Sequence, residues 1–427
     1  MNFLLLTLYF PPEIGAAPTR LEAMTRELTK LGHNVEVVTG MPNYPQGRIF
    51  SGYRGSFYRR EVRDRVVIHR VWLYPTVGRG LGRLLNYLSF SLFSLYGLAR
   101  AKRPDFLFVE SPPLTLSGPG RIYSFLRSVP LILNIADLWP DTLVEMGLLQ
   151  AGTTLRWLYR LERWAYRKAA FVNTVTDGLR DSLLHAKGIP PERLLFLPNG
   201  VDTERHRPQE PDAAFKRALG LSGKYVLLYS GTLGRAHALE NVLAAAALLN
   251  NQPDLHILFL GDGSERLALE EMKRRLQLDN VTFHDPVPIE KLAPFQAIAD
   301  CGLVSLRNLP IFEGARPSKM FPLLAAGKPL LFCGHGEGAN LVRAAKAGIV
   351  VPSGDPEALA KAISELLRNR PLLEELGANG RRFVEQHYEW RRLVSHWLES
   401  LDSAKAGLPC FAQNEKQNAL AQQPESF

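Results

Sequence analysis

Cysteine is scarce: Cys301, Cys333 and Cys410 are the only three in 427 residues, with no Cys-x-x-Cys and no histidine cluster at metal-ligand spacing. That excludes a disulfide-stapled secreted scaffold and a zinc module, and it fits a reducing cytoplasm. Asp-x-Asp is absent too, so the usual carboxylate pair for tying a divalent cation to a diphosphate is missing. Basic residues exceed acidic ones by nine, yet Lys and Arg are scattered, with neither a basic helix nor interleaved stacking aromatics. Nucleic acid is therefore not an expected partner, whereas an anionic small ligand or an anionic membrane surface is. The N-terminal FLLLTLYF lacks a charged leader and a small-residue cleavage site, and prolines stop it, so it reads as a buried strand rather than a signal peptide. No uncharged run reaches the ~20 residues of a membrane-spanning helix. The nearest, Leu84 to Ala99, contains Asn86 and is flanked by Arg83 and Arg100. A buried helix and a helix lying on a membrane interface both fit it.

What is present is an ordinary globular composition, 46% hydrophobic and 22% charged. The chain is long enough for two cores, because single cores stop growing near about 250 to 300 residues. Short apolar runs alternate with helical patterns, the signature of parallel sheets crossed by helices. NFLLLTLYF, NVEVVTG, VVIHRVW, DFLFVES, PLILNIAD and FVNTVT occupy the first half, with a helix expected near Thr19 to Leu31. After the polar NGVDTERHRPQEPDAAF, the runs YVLLYSG, HILFLGDG, VTFHD, CGLVSL, PLLFCG and GIVVPSG repeat the pattern. The expectation is an α/β protein of two doubly wound units, residues 1–199 and 200–380, facing across a cleft. The amphipathic RRFVEQHYEWRRLVSHWLESL, residues 381–403, reads as a helix returning toward the first unit, and 404–427 as a disordered tail.

In open parallel sheets, ligands bind beyond the carboxyl ends of strands, where glycine-rich loops lead into helices. Four such loops recur. YFPPEIGAAPTR offers Gly15, and YSGTLGRAHALENVL offers Gly231, Thr232, Gly234, Arg235 and His237. LFLGDGSERL offers Gly261 and Gly263, and RPSKMFPLLAAG offers Ser318 as a cap with Lys319 as a point charge at a helix start. Singly, each is how such loops turn; four in phase point to a phosphorylated ligand in the cleft. Pro322 has two readings: it leaves the amides before it free for that ligand, or it is merely the first helical residue.

Taken in order, YFPPEIGAAPTR, TGMPNYPQGRI, ESPPL, NIADLWPD, LPNGVD, YSGTLGRAHALENVL, GDGSE, RPSKMFPLLAAGKP and GIVVPSGDPEALA carry a resemblance that runs from Met1 to about Leu401. In these pieces the chain resembles the retaining glycosyltransferases of family 4, most closely bacterial members of the fucosamine or fucose type that build exopolysaccharide or O-antigen units. The resemblance implies GT-B architecture, with two Rossmann-like domains. It implies transfer of a sugar from a nucleotide diphosphate donor, UDP preferred and GDP open, to a saccharide carried on a polyprenyl diphosphate, with retention of configuration and no metal or other cofactor. It also implies a cytoplasmic protein, peripheral on the anionic inner face of the cell membrane.

By the same resemblance, Gly15 meets the donor diphosphate from one side, and Arg235, Pro317, Ser318 and Lys319 from the other. Gly231, Thr232, Gly234 and His237 belong to the same donor set; Gly261, Gly263 and Val287 border the base and ribose. Asp137 of NIADLWPD falls near the reacting carbon, with capping of the next helix as its other role. Asp137, Arg235 and Lys319 are thus the expected catalytic groups. The family's ribose-binding glutamate is missing: Pro322 or Leu323 stands there, and the only nearby upstream acid is Glu313. Two other classes stay in view, a nucleotide-sugar 2-epimerase, for which no convincing acid and base pair is found, and a non-catalytic sugar-nucleotide-binding protein.

Overall fold

The structure, a computed structural model, describes residues 1–76, 80–147 and 149–406. Cys410 and nearly all of the expected tail lie outside the described residues. The first sheet is built from β1 (Asn2–Leu6), β2 (Asn34–Gly40), β3 (Tyr58–Arg63), β4 (Val66–Val71), β5 (Phe106–Ser111), β6 (Leu131–Ile135), β7 (Phe171–Thr174) and β8 (Leu194–Phe196). The second comprises β9 (Tyr225–Ser230), β10 (Leu255–Leu260), β11 (Val281–His284), β12 (Cys301–Ser305), β13 (Leu330–Cys333) and β14 (Gly348–Val351). Helices α1 (Ala16–Lys30), α2 (Leu81–Arg100), α3 (Ser117–Arg127), α4 (Asp141–Glu145), α5 (Thr153–Lys168) and α6 (Asp177–Asp181) accompany the first sheet. The second has α7 (Ala213–Ala218), α8 (Glu240–Leu248), α9 (Arg266–Arg275), α10 (Ala293–Ile298), α11 (Met320–Ala325), α12 (Gly336–Ala344), α13 (Pro356–Arg368) and α14 (Arg370–His387), after which α15 (Trp390–Ala406) ends the described chain.

The strand orders are β3-β4-β2-β1-β5-β6-β7-β8 and β11-β10-β9-β12-β13-β14. Within each sheet the chain adds strands to one side of its first strand and then switches to the other, beside β1 and β5 in one and β9 and β12 in the other. A crevice opens at such a switch point, and ligands bind there in doubly wound folds. Parallel strands are buried on both faces, which is why they read as unbroken apolar runs. In β1, Leu4 and Leu6 pack in the core on the side of α2, α3 and α5, while Phe3 and Leu5 pack with residues of α1 and α15. Among the described strands only β3 runs antiparallel to its neighbour, β4. Its sequence YRREVR is largely exposed, an arginine-blunted edge strand that hydrophobic patterning does not reveal.

The amphipathic segment at 381–403 is two elements rather than one. It breaks at Tyr388 and Glu389, where the Val201 N–H donates to the Tyr388 carbonyl (2.8 Å) and the Trp390 N–H to the Val201 carbonyl (3.3 Å). The chain there leaves the second domain, and α15 crosses to the first sheet, its last turn including Ala404 to Ala406. Trp397 is fully buried among Phe3 and Phe108, and its Nε1 donates to Asn173 Oδ1 at 2.9 Å. The Leu84 to Ala99 run lies within α2, which is buried along Asn86, Phe90, Ser94, Gly97 and Leu98 and exposed along Leu81, Leu84, Leu85, Leu88 and Leu92. Neighbouring helices add exposed Phe125, Leu126 and Trp157. No helix among the described residues is long and apolar enough to cross a membrane.

Candidate functional site

Between the carboxyl ends of the two sheets lies a cavity of about 930 Å³, reached from both switch points. The loop after β1 contributes Tyr9, Gly15, Ala16 and Ala17, and the loop after β9 contributes Gly231, Thr232 and His237. Gly15 precedes α1, a 15-residue helix with no acidic residue in its first turn. The first amides of a helix have no partner within it and carry the positive end of its dipole. Ala16 and Ala17, the first residues of α1, line the cavity, and an anion at that helix start would be stabilised.

Opposite them, Lys319 is partly buried against Tyr229 and His237. Its Nζ hydrogen-bonds the Tyr229 hydroxyl, lies 4.1 Å from that ring's centroid, and is 3.4 Å from His237 Nε2. His237 Nδ1 is 3.1 Å from the Ser305 carbonyl. A carbonyl only accepts, so Nδ1 carries the proton and Nε2 can accept from the lysine. No carboxylate is paired with Lys319 among the described residues. Burial consequently pulls the lysine down to about 7, and burial together with the lysine pulls His237 down to about 3. An anionic ligand beside Lys319 would supply the charge that the protein does not.

Further round the wall, Arg20 of α1 pairs with Glu110 at the end of β5, both buried. Arg20 also donates to Asn199 Oδ1 (3.2 Å), and Glu110 accepts from Asn134 (2.8 Å). Asn134 in turn accepts from Asn173 at 2.6 Å, the partner of Trp397, so α15 is linked to the cavity wall by one hydrogen-bonded chain. Beside Gly261 and Asp262 the wall is apolar, formed by Leu260, Pro286, Val287 and Ile289.

The domains are joined at the wall of this cavity by Arg316, which donates to the Tyr388 hydroxyl (2.7 Å) and Asp177 Oδ2 (2.7 Å). Its Nε is ion-paired with Glu337 without the alignment of a hydrogen bond. Glu337, on α12, also accepts from the backbone N–H groups of Asp177 (3.1 Å) and Gly178 (2.9 Å) at the start of α6. A Cβ on Gly178 would stand 2.3 Å from the Gly314 Cα, so glycine permits the two backbones to touch.

Of the residues expected from sequence, Gly15, Gly231, Thr232, His237, Gly261, Val287, Pro317, Ser318 and Lys319 line the cavity. Asp137, Gly234, Arg235, Gly263 and Glu313 do not. Gly234 and Arg235 line a separate depression with Arg275 and Arg307, because Arg235 opens a 3-10 turn that sends His237 inward and Arg235 out. Gly263 answers a packing need: a Cβ there would sit 2.4 Å from the Leu233 carbonyl oxygen. Asp137 accepts from Thr142 Oγ1 (2.6 Å) and ties down the loop into α4, burial raising its carboxyl above the usual range. Glu313 is exposed, and its carbonyl accepts the Glu337 N–H at 2.6 Å.

Ser318 makes no side-chain cap; the residue before α11 is Lys319. Pro322 is the third residue of that helix, not the first, and the amides before it are not free: Met320 N–H donates to Pro317 O (3.1 Å) and Phe321 N–H to Ser318 O (3.4 Å). Pro322 there costs nothing, since a first-turn N–H has no helical partner. Sequence reasoning missed Tyr9, Tyr44, Arg83, Arg20, Glu110, Asn199 and Asp262. Position after a strand could have flagged Tyr9, Glu110 and Asp262; nothing local marks Arg83.

Two doubly wound domains with their switch points facing one cavity define the GT-B class of glycosyltransferase folds. Comparison with known proteins agrees: the glycosyl transferase 4-like domain family matches residues 15–200, and the glycosyl transferases group 1 family matches residues 212–383. The chain belongs to the family 4 glycosyltransferases. It is 28% identical to WcaI of Escherichia coli (strain K12), named as a colanic acid biosynthesis glycosyl transferase, over 77% of this chain and 82% of that protein. With WbjE of Pseudomonas aeruginosa, named as a glycosyltransferase, it shares 27% identity over 73% of this chain and 77% of that one. Among solved structures, a sucrose-phosphate synthase from Thermosynechococcus elongatus superposes with a TM-score of 0.73 at 17% identity, covering 95% of this chain and 100% of that one. Anabaena HepE, solved with UDP and glucose, gives 0.70 at 18% identity, covering 94% and 100%.

Proposed function

We propose that this glycosyltransferase moves a sugar from a nucleotide diphosphate donor, UDP preferred and GDP open, to a lipid-linked saccharide in cell-surface polysaccharide synthesis, with retention and without a metal. The carrying observation is Lys319, a partly buried amine without a carboxylate partner among the described residues, facing the cavity that the first residues of α1 line from the other domain. As the bond to the sugar breaks, negative charge grows on the departing diphosphate. Prearranged donors at that point stabilise it more than they stabilise the bound donor, which is what lowers the barrier. Lys319 and the amides of Ala16 and Ala17 take the part that a bridging cation plays elsewhere; among the described residues no group of three His, Cys, Asp or Glu is arranged to hold a metal ion. The apolar wall at Val287 suits the nucleobase.

Glu110, held by Arg20, is not the free base that an inverting mechanism needs opposite the leaving group, which supports retention. Its neutralisation by Arg20 also weighs against its serving in the acid and base pair of an epimerase. The relatives named above support polysaccharide synthesis. Incubation with a panel of nucleotide sugars and a lipid-linked acceptor in excess EDTA is expected to give product; strict dependence on magnesium or manganese would contradict the proposal.

The exposed apolar face of α2, continued by Phe125, Leu126 and Trp157 and edged by exposed Arg100, Arg127, Arg156 and Arg160, supports docking on an anionic bilayer that carries the acceptor. The protein is expected to float with vesicles containing anionic lipid. The triple variant Leu85→Glu, Leu88→Glu, Leu92→Glu is expected to stay in the soluble fraction; wild type remaining there whatever the lipid would refute the docking.

A further inference from the structure

We propose that Arg83, framed by Tyr9, Tyr44 and Tyr87, is a second anion site of the cavity that takes the phosphate of the lipid-linked acceptor. This rests on the donor and acceptor assignment above and extends it to a subsite. Arg83 lies in the first turn of α2 and lines the cavity from the first domain. Its Nε donates to the Tyr87 hydroxyl at 2.8 Å and one terminal amino group to the Tyr9 hydroxyl at 2.9 Å. The guanidinium carbon stands 4.8 Å from the Tyr87 ring centroid, and the Tyr9 and Tyr44 rings are 5.4 Å apart.

Three features make this a binding site rather than a packed arginine. First, no carboxylate pairs with Arg83 among the described residues, in contrast to Arg20 in the same wall, which Glu110 neutralises. A half-buried cation without a counter-charge is costly unless a ligand provides one. Second, two of its five N–H donors are fixed by tyrosine hydroxyls, which locks the planar fork and leaves donors for the two oxygens of a phosphate. Each tyrosine oxygen accepts from Arg83 and keeps its own proton to donate; burial raises Tyr9 above its ordinary value, so the proton stays on. Third, α2 carries Arg83 in the cavity and Leu81, Leu84, Leu85 and Leu88 on its uncovered face. A phosphate held at Arg83 would thus place an attached isoprenoid chain beside an apolar surface that leads to the bilayer. Lys319 and Arg83 stand on different domains, one for each phosphorylated substrate.

The donor diphosphate is the other possible source of a phosphate at Arg83, and the test separates them. Geranyl diphosphate serves as the acceptor probe and UDP, or whichever of UDP, GDP and ADP binds, as the donor probe, each titrated calorimetrically into wild type, Arg83→Met, Arg83→Lys and Lys319→Met. Wild type saturated with nucleotide should still bind geranyl diphosphate. Arg83→Met should weaken geranyl diphosphate at least tenfold and change nucleotide affinity less than twofold; Arg83→Lys, which keeps charge but loses the fork, should fall between, and serves alone should Arg83→Met fail to fold. Lys319→Met should show the opposite selectivity. Competition between the two probes, or nucleotide weakened by Arg83→Met with geranyl diphosphate unaffected, would overturn the inference. Failure of every nucleotide to bind wild type would instead overturn the donor reading beneath it.

Discussion

Replacing Lys319 by alanine is expected to slow sugar transfer by at least tenfold, and on the order of 10² to 10³, the loss typical when one preorganised donor is removed from a developing charge. The effect should fall on turnover more than on folding. Desolvation in the fold pulls this amine down to about 7 from its ordinary 10.5. A lowered folded value means that the unfolded chain binds more protons between those two pH values, so the charged lysine opposes folding below about 7 and the opposition fades as pH rises toward 10.5. Removing it relieves that opposition at neutral pH, and thermal melting should confirm a variant no less stable than is usual for a cavity-lining truncation. Turnover equal to wild type would take Lys319 out of the site.

Trp397→Ala is expected to lower stability by roughly 3 to 5 kcal/mol, the usual range for deleting a large buried aromatic. The indole fills the space between Phe3 and Phe108 under the first sheet, with ring centroids 6.0 and 6.2 Å away. Its loss also leaves buried Asn173 Oδ1 without the Nε1 donor, a further penalty for an unsatisfied acceptor. Because Asn173 donates to Asn134, which donates to Glu110, the same change should disturb the cavity wall at long range. Urea unfolding measures this. A loss below about 1 kcal/mol, far under the range for such truncations, would mean that α15 only rests on the first domain rather than completing its core.

Much of this architecture could be read from residues alone, for a physical reason. A strand buried on both faces must be apolar along its whole length, so NFLLL, LHILFL and their counterparts stand out. Where that constraint lapses, so does legibility: the YRREVR edge strand is exposed, and the break between α14 and α15 falls at Tyr388, whose carbonyl is bonded to Val201, a residue far away in the chain. The site divides in the same way. Gly231 follows β9 directly, Gly15 and Lys319 end the loops that lead from β1 to α1 and from β12 to α11, and the switch-point rule carries all of them into the cavity. His237 and Arg235 lie in one short turn, and no local pattern says which of them faces inward. Glu313 is the nearby upstream acid where the family's glutamate is missing, yet the contact between Gly178 and Gly314 carries that segment to the domain junction. Arg83 belongs to an otherwise apolar helix, and only the approach of Tyr9 and Tyr44 from other loops gives it a role.

The most direct test is the pH dependence of nucleoside diphosphate affinity in wild type and Lys319→Met. The ligand needs the ammonium form, so in wild type binding should weaken as pH rises from 6 to 9, approaching tenfold per unit above about 7, the value at which the free enzyme loses that proton. Neither neighbour titrates in that window, with His237 down near 3 and Tyr229 raised well above its ordinary value. Lys319→Met should bind more weakly at pH 6 and lose the tenfold-per-unit fall, keeping only the slope due to the diphosphate's own second ionisation near about pH 6 and to Glu13, which burial raises to about 7 in the loop before α1. Parallel profiles for the two proteins would contradict the pairing of Lys319 with the diphosphate.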